Sequence, residues 1–212
     1  MSSYTLYGPT YSTYVRTIRM LFAEKGIDYD QVEVDILAGE GQTPEHQNRH
    51  PFGKVPALDA GDIRLYETAA IAEFIEGRHP EHSFIPQSVE ARALMRQWMS
   101  VIDNYGYPAI IGVLVWQRVV NARLGEPADE QAIETGMPAV HKNFQLLDDA
   151  LDGSRYLAGE QASLADLYLA PNLAYVAMTP ESEGLFGRYR NVSRWWDEMQ
   201  ARSSFVRTPY PG

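Results

Sequence analysis

Cysteine is absent from this chain of 212 residues. Without cysteine, the protein forms no disulfide, holds no metal through thiolates and runs no redox cycle on a thiol of its own. Any thiol chemistry therefore has to use a thiol that a ligand brings to the protein.

Positive charge is scarce. The chain has 18 lysine and arginine residues against 28 aspartate and glutamate residues, which gives a formal net charge of −10. Nucleic acids and anionic membrane surfaces select proteins with basic faces. We therefore expect no nucleic-acid partner and no membrane partner.

Long hydrophobic runs are missing as well. The longest nearly apolar stretch, residues 107–116, is too short to cross a bilayer and is interrupted by Pro108 and Gly112. The first residues carry neither the basic nor the apolar segment of a secretory signal peptide. These features predict a cytoplasmic protein, and its composition is that of an ordinary globular protein.

Strand and helix signals alternate in the first eighty residues. Short β-rich runs occupy residues 4–7, 29–36, 55–58 and 62–65, and the second of these alternates apolar with acidic residues. Apolar residues at helical spacing lie between the strands and after the last one. The resulting order, β-α-β-α-β-β-α, predicts a small mixed α/β domain whose first two strands are parallel.

The rest of the chain has helical signals alone. Long apolar stripes predict helices beyond residue 89, including one at 129–151 and one at 192–201. Residues 163–166, which read SLAD, match a helix capping box with aspartate in place of the usual glutamate.

Three segments follow from these patterns. We predict an α/β domain at residues 1–79, a linker at 80–88 that is rich in proline at its ends, and an all-helical domain at 89–212.

Lys54, Val55 and Pro56 join a loop to a strand. If the bond before Pro56 is cis, the backbone N–H and C=O of Val55 are free to pair with an extended peptide, which would bind as a short extra strand. The alternative is a trans proline that simply starts a strand and binds no ligand.

Glu67 and Thr68 stand at the start of a predicted helix. Backbone N–H groups at a helix N-terminus bind carboxylates, and a glutamate beside them pairs with an ammonium group. The two residues therefore suit an amino-acid head group that carries both charges. The alternative is an ordinary helix cap.

These motifs together resemble those of the cytosolic glutathione transferases, and the match covers nearly the whole chain in order. The resemblance is carried by LYG at 6–8, EKGI at 24–27, PFGKVPAL at 51–58, LYET at 65–68, YLAG at 156–159 and SLAD at 163–166. It implies a thioredoxin-like N-terminal domain followed by a helical-bundle domain.

The resemblance also implies roles for individual residues. Val55 pairs with the cysteinyl backbone of glutathione, and Glu67 and Thr68 hold its γ-glutamyl group. A hydroxyl near the start of the first helix activates the thiol. Ser12 is the first candidate, because its place after residues 6–8 matches serine-type members. Thr13 is the second candidate and Tyr7 the third. The competing interpretation of Ser12 is a simple helix cap.

The chain departs from the family at one point. Serine-type relatives often carry a His-Lys pair that binds the glycine carboxylate of glutathione, whereas this chain has Gly41 and Gln42 there. Lys54, Arg16 and His50 are the residues that we consider as substitutes. We expect weaker glutathione binding than in a relative that has the pair, or binding of another thiol ligand altogether.

The electrophile pocket is expected, by resemblance, between the two domains, and the helical domain contributes to it. Tyr11, Tyr105, Tyr107 and Trp116 are candidate lining residues, and an aromatic lining suits an apolar or aromatic substrate. Family members are typically homodimers, so a homodimer is expected.

The sequence thus predicts a transferase, of the detoxification type, with glutathione as co-substrate. Two other functions stay open: a non-catalytic binding or regulatory protein, and a glutathione-dependent peroxidase, isomerase or reductase. We expect no metal, because His46 and His50 have helical spacing but no third ligand near them in sequence.

Overall fold

A four-stranded mixed sheet organises the first part of the chain in the computed structural model, which describes residues 3–210. The strand order is β2-β1-β3-β4, with β1 and β2 parallel and the other two pairs antiparallel. The strands are β1 Thr5–Tyr7, β2 Asp30–Val32, β3 Ala57–Ala60 and β4 Ile63–Tyr66. The predicted order of elements and the parallel first pair are therefore confirmed.

The helices of this part follow from their apolar spacing. Val15 and Ile18 in α1, and Ile71 and Ile75 in α3, are fully buried. Burying each such side chain stabilises the fold by roughly 1.5–3 kcal/mol. The elements are α1 Thr13–Lys25, a 3₁₀ turn Glu40–Gln42, α2 Pro44–Gln47 and α3 Thr68–Arg78.

Strand β2 is shorter than predicted, and the strand predicted over residues 29–36 is wrong beyond Val32. Val32 and Ile36 are both exposed, so the apolar alternation does not mark one buried face. The chain turns at Asp35 instead, because the Asp35 carboxylate accepts the backbone N–H groups of Leu37 and Ala38 at 3.0 and 3.1 Å. Aspartate favours such turns over a continuing strand.

The second part of the chain is helical throughout. Its α-helices are α4 Val89–Val101, α5 Tyr107–Ala109, α6 Asn121–Leu124, α7 Glu130–Ala150, α8 Leu164–Val176, α9 Ser182–Arg188 and α10 Arg190–Gln200, and α11 Ser203–Arg207 follows them. Within residues 3–210, every helix is too short or too polar to serve as a membrane span.

The helix that follows α4 is wound more widely than an α-helix. Ile102–Gly106 and Ile110–Val120 are π-helical, with α5 between them. Pro108 lies in α5 and lacks a backbone N–H, which removes one bond of a regular α-helical ladder. The continuation therefore stays helical past Pro108 with altered winding.

The predicted capping box opens α8. The Asp166 carboxylate accepts the backbone N–H of Ser163 at 2.8 Å and its hydroxyl at 2.9 Å. It also accepts Leu157 N–H at 3.0 Å and Trp195 Nε1 at 2.8 Å. Asp166 is fully buried, so it acts as a structural anchor of the helical part, as the sequence pattern indicates.

Two compact units emerge from the backbone contacts. The chain up to Phe84 and from Arg202 onward forms the first unit, and Ile85–Ala201 forms the second. The end of the chain returns to α1: Arg202 Nε lies 2.7 Å from Glu24 Oε1, and Arg207 donates to Ala23 O at 2.7 Å. The end of the chain therefore belongs to the first unit, whereas we predicted that residues 89–212 form one domain.

A buried ion pair joins α1 to α3. Lys25 Nζ lies 3.1 Å from Glu76 Oε1, and both side chains are 2% exposed. The ammonium also donates to the carbonyl of His79 at 2.7 Å, and Glu76 Oε2 accepts the Ser83 hydroxyl at 2.7 Å. The pair therefore fixes the two helices and the segment that follows α3.

Removing one partner of this pair leaves a buried charge uncompensated. We expect Glu76→Ala to lower the free energy of unfolding by about 3–5 kcal/mol, measured by urea denaturation. Arg78→Ala, an exposed change in the same helix, is the matched control and should cost less than about 1 kcal/mol. Equal losses in the two variants would contradict this role of the pair.

Candidate active site

Ser12 lies at the N-terminus of α1. Its backbone is extended, with φ −74° and ψ 131°, and its Oγ accepts the Val15 N–H at 3.3 Å. The Ser12 side chain is half-buried, and its hydroxyl proton has no acceptor within the part of the chain that the structure describes. Ser12 therefore offers a hydrogen-bond donor at the positive end of a helix.

The other two candidate hydroxyls are less suited to a ligand. Thr13 is 5% exposed. The Tyr7 hydroxyl donates to Asp59 Oδ2 at 3.0 Å, and burial, together with that carboxylate, raises the pKa of Tyr7. Since the proton of Tyr7 is already donated to Asp59, the geometry favours Ser12 over both alternatives.

The Val55–Pro56 bond is cis. Neither the N–H nor the C=O of Val55 has a hydrogen-bond partner among residues 3–210. Both groups are thus available to an extended peptide, which is the β-augmentation arrangement.

Gly8 brings Val55 close to the first turn of α1. A Cβ built on Gly8 would lie 2.4 Å from Val15 Cγ2 and 3.0 Å from Val55 Cβ. The backbone of Gly8 also has φ +143°, a conformation that favours glycine. The β1–α1 turn leads to Ser12. This turn lies against Val55 because residue 8 has no side chain.

Glu67 and Thr68 form the N-terminus of α3. Glu67 is a non-glycine residue with φ 71° and ψ 120°, and α3 has no side-chain cap. Such a backbone conformation costs roughly 1–3 kcal/mol. The Glu67 side chain is 64% exposed. The Glu67 carboxylate therefore faces solvent beside the N-terminus of α3, while Thr68 itself is 7% exposed.

Two histidines of the α2 region support these segments. His46 Nε2 hydrogen-bonds the carbonyl of Lys54 at 2.7 Å, directly before Val55. His50 Nε2 lies 3.8 Å from Glu67 Oε1. Burial lowers the pKa of His50, so its ring is neutral at pH 7. His50, which we predicted as a binding residue, is 2% exposed, whereas the Glu67 side chain next to it is exposed.

Position 41 accepts glycine alone. A Cβ on Gly41 would lie 2.2 Å from the carbonyl oxygen of Gly53, so a histidine there would displace the backbone of residues 51–58. Gln42 is exposed, and its Oε1 accepts Gln47 Nε2 at 3.2 Å. A packing constraint thus accounts for glycine at position 41, whereas Gln42 lies at the surface.

Arg16 is not placed as a carboxylate anchor. Its guanidinium lies 4.1 Å from the ring centre of Phe205 and 4.3 Å from that of Tyr210, and Arg16 is 2% exposed. Its Nη2 donates to the Phe205 carbonyl at 3.3 Å. The structure thus places the guanidinium of Arg16, predicted as a possible substitute for the pair, in the interior on these two rings. Lys54, in contrast, is exposed.

The aromatic candidates divide between the two units. Tyr11 belongs to the first, and its hydroxyl donates to Asp35 Oδ1 at 2.7 Å. The second unit contains Tyr105, Tyr107 and Trp116. Tyr105 and Trp116 are exposed, and burial raises the pKa of Tyr107.

Sequence reasoning missed the hydrogen bonds of His46 and Tyr11, because nothing in the spacing of these residues shows what their polar atoms contact.

The described residues contain no group of three or more histidine, aspartate or glutamate side chains that could hold a metal ion. The first unit instead offers groups for a short thiol peptide. Val55 has an unpaired backbone N–H and C=O among residues 3–210, Glu67 and Thr68 stand at the N-terminus of α3, and Ser12 stands at the N-terminus of α1.

Two family models match the chain. Residues 2–77 match the glutathione S-transferase N-terminal domain, and residues 108–203 match the glutathione S-transferase C-terminal domain.

Similar proteins match along nearly their whole length. Glutathione S-transferase F11 of Arabidopsis thaliana is 31% identical over 94% of this chain and 94% of its own. The crystal structure of glutathione transferase F7 from Populus trichocarpa has a TM-score of 0.88 at 28% identity, with 97% of each chain covered. Maize glutathione S-transferase I in complex with an atrazine glutathione conjugate has a TM-score of 0.85 at 28% identity, covering 97% of this chain and 95% of its own. The chain belongs to the glutathione S-transferase family.

Proposed function

We propose that this protein conjugates glutathione to apolar or aromatic electrophiles and that Ser12 activates the thiol. The observation that carries the proposal is the Ser12 hydroxyl, which lies at the N-terminus of α1 with no acceptor for its proton within residues 3–210. Family membership supports transfer chemistry over a non-catalytic binding protein or a reductase. The chain also has no cysteine for a reductase mechanism on a protein thiol.

The hydrogen bond from Ser12 has enough free energy for this role. A thiol with a pKa of about 8.5 is mostly protonated at neutral pH, and lowering that pKa by about 1.5–2 units needs roughly 2–3 kcal/mol. A hydrogen bond to a charged group contributes about 1.5–3 kcal/mol. The N-terminus of α1 adds roughly 0.3–1 kcal/mol, so the two effects together suffice.

The reaction is then a direct attack by the thiolate. The thiol proton leaves to solvent, and Ser12 holds the sulfur anion with its own hydroxyl proton retained. A sulfur lone pair forms the new S–C bond. A halide or aryl oxide departs with the old bonding pair, or an activated double bond takes up a proton from water.

The γ-glutamyl end of glutathione is proposed to bind at α3. Its carboxylate accepts the free N–H groups and hydroxyl of Thr68, and its ammonium pairs with Glu67. The cysteinyl backbone pairs with Val55 across the free N–H and C=O groups of that residue.

The glycine end of glutathione is proposed to bind at Lys54 and Gln42. Lys54 is exposed and has no acidic partner among residues 3–210, and Gln42 offers an amide. We propose these two side chains as the contacts that replace the His-Lys pair, and we expect weaker glutathione binding than in a relative that has the pair.

The thiol role of Ser12 has a kinetic test. We expect Ser12→Ala to lower kcat/KM at neutral pH about 10- to 100-fold, because one charge-assisted hydrogen bond is lost. The apparent pKa of the bound thiol in the pH profile of kcat/KM should rise by about 1–2 units. Ser12→Thr keeps a hydroxyl and a helix cap, and it serves as the control. An unchanged pH profile in Ser12→Ala would refute the role.

The strained backbone of Glu67 gives a second test, in which stability and binding move in opposite directions. Glycine adopts positive φ without a side-chain clash, so Glu67→Gly should raise the free energy of unfolding by up to about 1 kcal/mol. The same variant should lose at least about tenfold in glutathione affinity, because the ammonium loses its partner. Thermal unfolding and calorimetric titration measure the two effects, with Glu67→Gln as the control that keeps the strain. Wild-type affinity in Glu67→Gly would contradict the assigned role.

We further propose a homodimer. Phe52 is 70% exposed in the first unit. The second unit has an apolar cavity of about 720 Å³, lined by Val101, Tyr105, Pro108 and Leu146 among others. In a symmetric pair each Phe52 would enter the cavity of the other copy, and the contact would occur twice. A cytoplasmic location is also proposed, because the chain resembles the cytosolic glutathione transferases.

Sedimentation velocity tests the dimer. Phe52→Ser should shift the protein towards the monomer by weakening association at least about tenfold, since a central aromatic anchor is lost. Val206→Ser removes an equally exposed apolar side chain elsewhere in the first unit and should leave the distribution unchanged. A monomeric wild type, or a Phe52→Ser protein that stays dimeric, would contradict the proposal.

A further inference from the structure

Tyr11 directly precedes Ser12, and the reaction proposed above gives it no role. Its hydroxyl donates to Asp35 Oδ1 at 2.7 Å and accepts the backbone N–H of Leu37 at 3.1 Å. One side chain thus links the turn that carries Ser12 to the segment that follows β2.

The acceptor at Asp35 is itself held in place. The same Oδ1 accepts the N–H groups of Leu37 and Ala38 at 3.0 and 3.1 Å. The Asp35 N–H donates to Glu40 Oε2 at 2.6 Å. These contacts all lie within residues 35–40, so the acceptor of the Tyr11 hydroxyl is part of a hydrogen-bonded turn.

The whole β1–α1 turn is attached to this side of the sheet. Gly8 N–H donates to Val32 O, and Gln31 Nε2 donates to Gly8 O, each at 2.9 Å. Thr10 N–H donates to Glu33 Oε2 at 3.2 Å. Tyr11 makes the last of these contacts before the chain enters α1.

Ser12 is therefore held from two directions. On the helix side its Oγ accepts the Val15 N–H at 3.3 Å. On the other side the backbone of residue 11 is fixed through the Tyr11 side chain. A hydrogen bond to a thiolate depends on the donor position within a few tenths of an ångström.

We propose that Tyr11 is a positioning residue, whose hydroxyl holds Ser12 at the distance that a bound thiolate requires by tying residue 11 to Asp35. The inference rests on the proposed role of Ser12 as the thiol activator. Burial raises the pKa of Tyr11 to about 12, so the hydroxyl stays a donor throughout the range in which a thiol titrates.

A different role for Tyr11 makes a different prediction. If only its ring matters, as a wall of the electrophile pocket, then removing the hydroxyl changes nothing. Tyr11→Phe keeps the ring and removes the two hydrogen bonds, so this variant separates the two roles.

The experiment measures the pH dependence of kcat/KM for Tyr11→Phe with a generic electrophile. We expect the apparent pKa of the bound thiol to rise by about 0.5–1 unit and kcat/KM at neutral pH to fall about three- to tenfold. The KM for the electrophile should stay unchanged. Tyr4→Phe, which removes another buried hydroxyl contact of the same sheet, to His79 at 2.8 Å, is the matched control and should leave the pH profile in place.

A second pair of variants tests the acceptor. Asp35→Asn keeps an oxygen that accepts from the Tyr11 hydroxyl and should retain the wild-type pH profile. Asp35→Ala removes that oxygen and should reproduce Tyr11→Phe. Thermal unfolding checks that all variants are folded at the assay temperature.

The outcomes separate this inference from the function on which it rests. If Ser12→Ala raises the thiol pKa and neither Tyr11→Phe nor Asp35→Ala does, the positioning role is refuted and the proposed function stands. If Ser12→Ala also leaves the pKa unchanged, both are refuted. An unchanged pH profile together with an unchanged electrophile KM in Tyr11→Phe would overturn the inference in favour of a pocket wall.

Discussion

The candidate site depends on how α1 and α3 are held together. Ser12 opens α1 and Thr68 opens α3, while Lys25 at the end of α1 lies 3.1 Å from Glu76 in α3, with both charges buried. An ion pair that is taken out of water tolerates little displacement, because any gap leaves two charges without compensation. The pair therefore ties the C-terminal end of α1 to the last turn of α3, the two helices whose N-termini carry the candidate groups.

Two features of the candidate site lower the stability of the protein without a ligand. Glu67 keeps a left-handed backbone that costs roughly 1–3 kcal/mol, and the N–H and C=O groups of Val55 have no partner among residues 3–210. Groups of this kind persist when surrounding structure holds them, which here includes the His46 hydrogen bond to Lys54 O. Groups that gain hydrogen-bond partners only from a ligand make binding specific. An analogue that lacks the matching atoms would leave these groups unsatisfied.

Much of this architecture was predictable from periodicity and turn chemistry, because apolar spacing decides burial locally. The order of strands and helices and the Asp166 capping box are examples. Contacts between distant residues were not predictable: no sequence pattern shows that Arg16 packs on Phe205 and Tyr210, or that Gly41 lies against Gly53. Strand β2 ended early for a local reason, since the Asp35 side chain competes with strand pairing by accepting N–H groups two and three residues further on.

The most direct test of the account is the ionisation of glutathione bound to the protein without an electrophile, followed by the ultraviolet absorbance of the thiolate against pH. The account predicts saturable binding and a thiol pKa about 1.5–2 units below its usual value of about 8.5. Glutathione that binds with an unshifted pKa, or that does not bind at millimolar concentration, would contradict it.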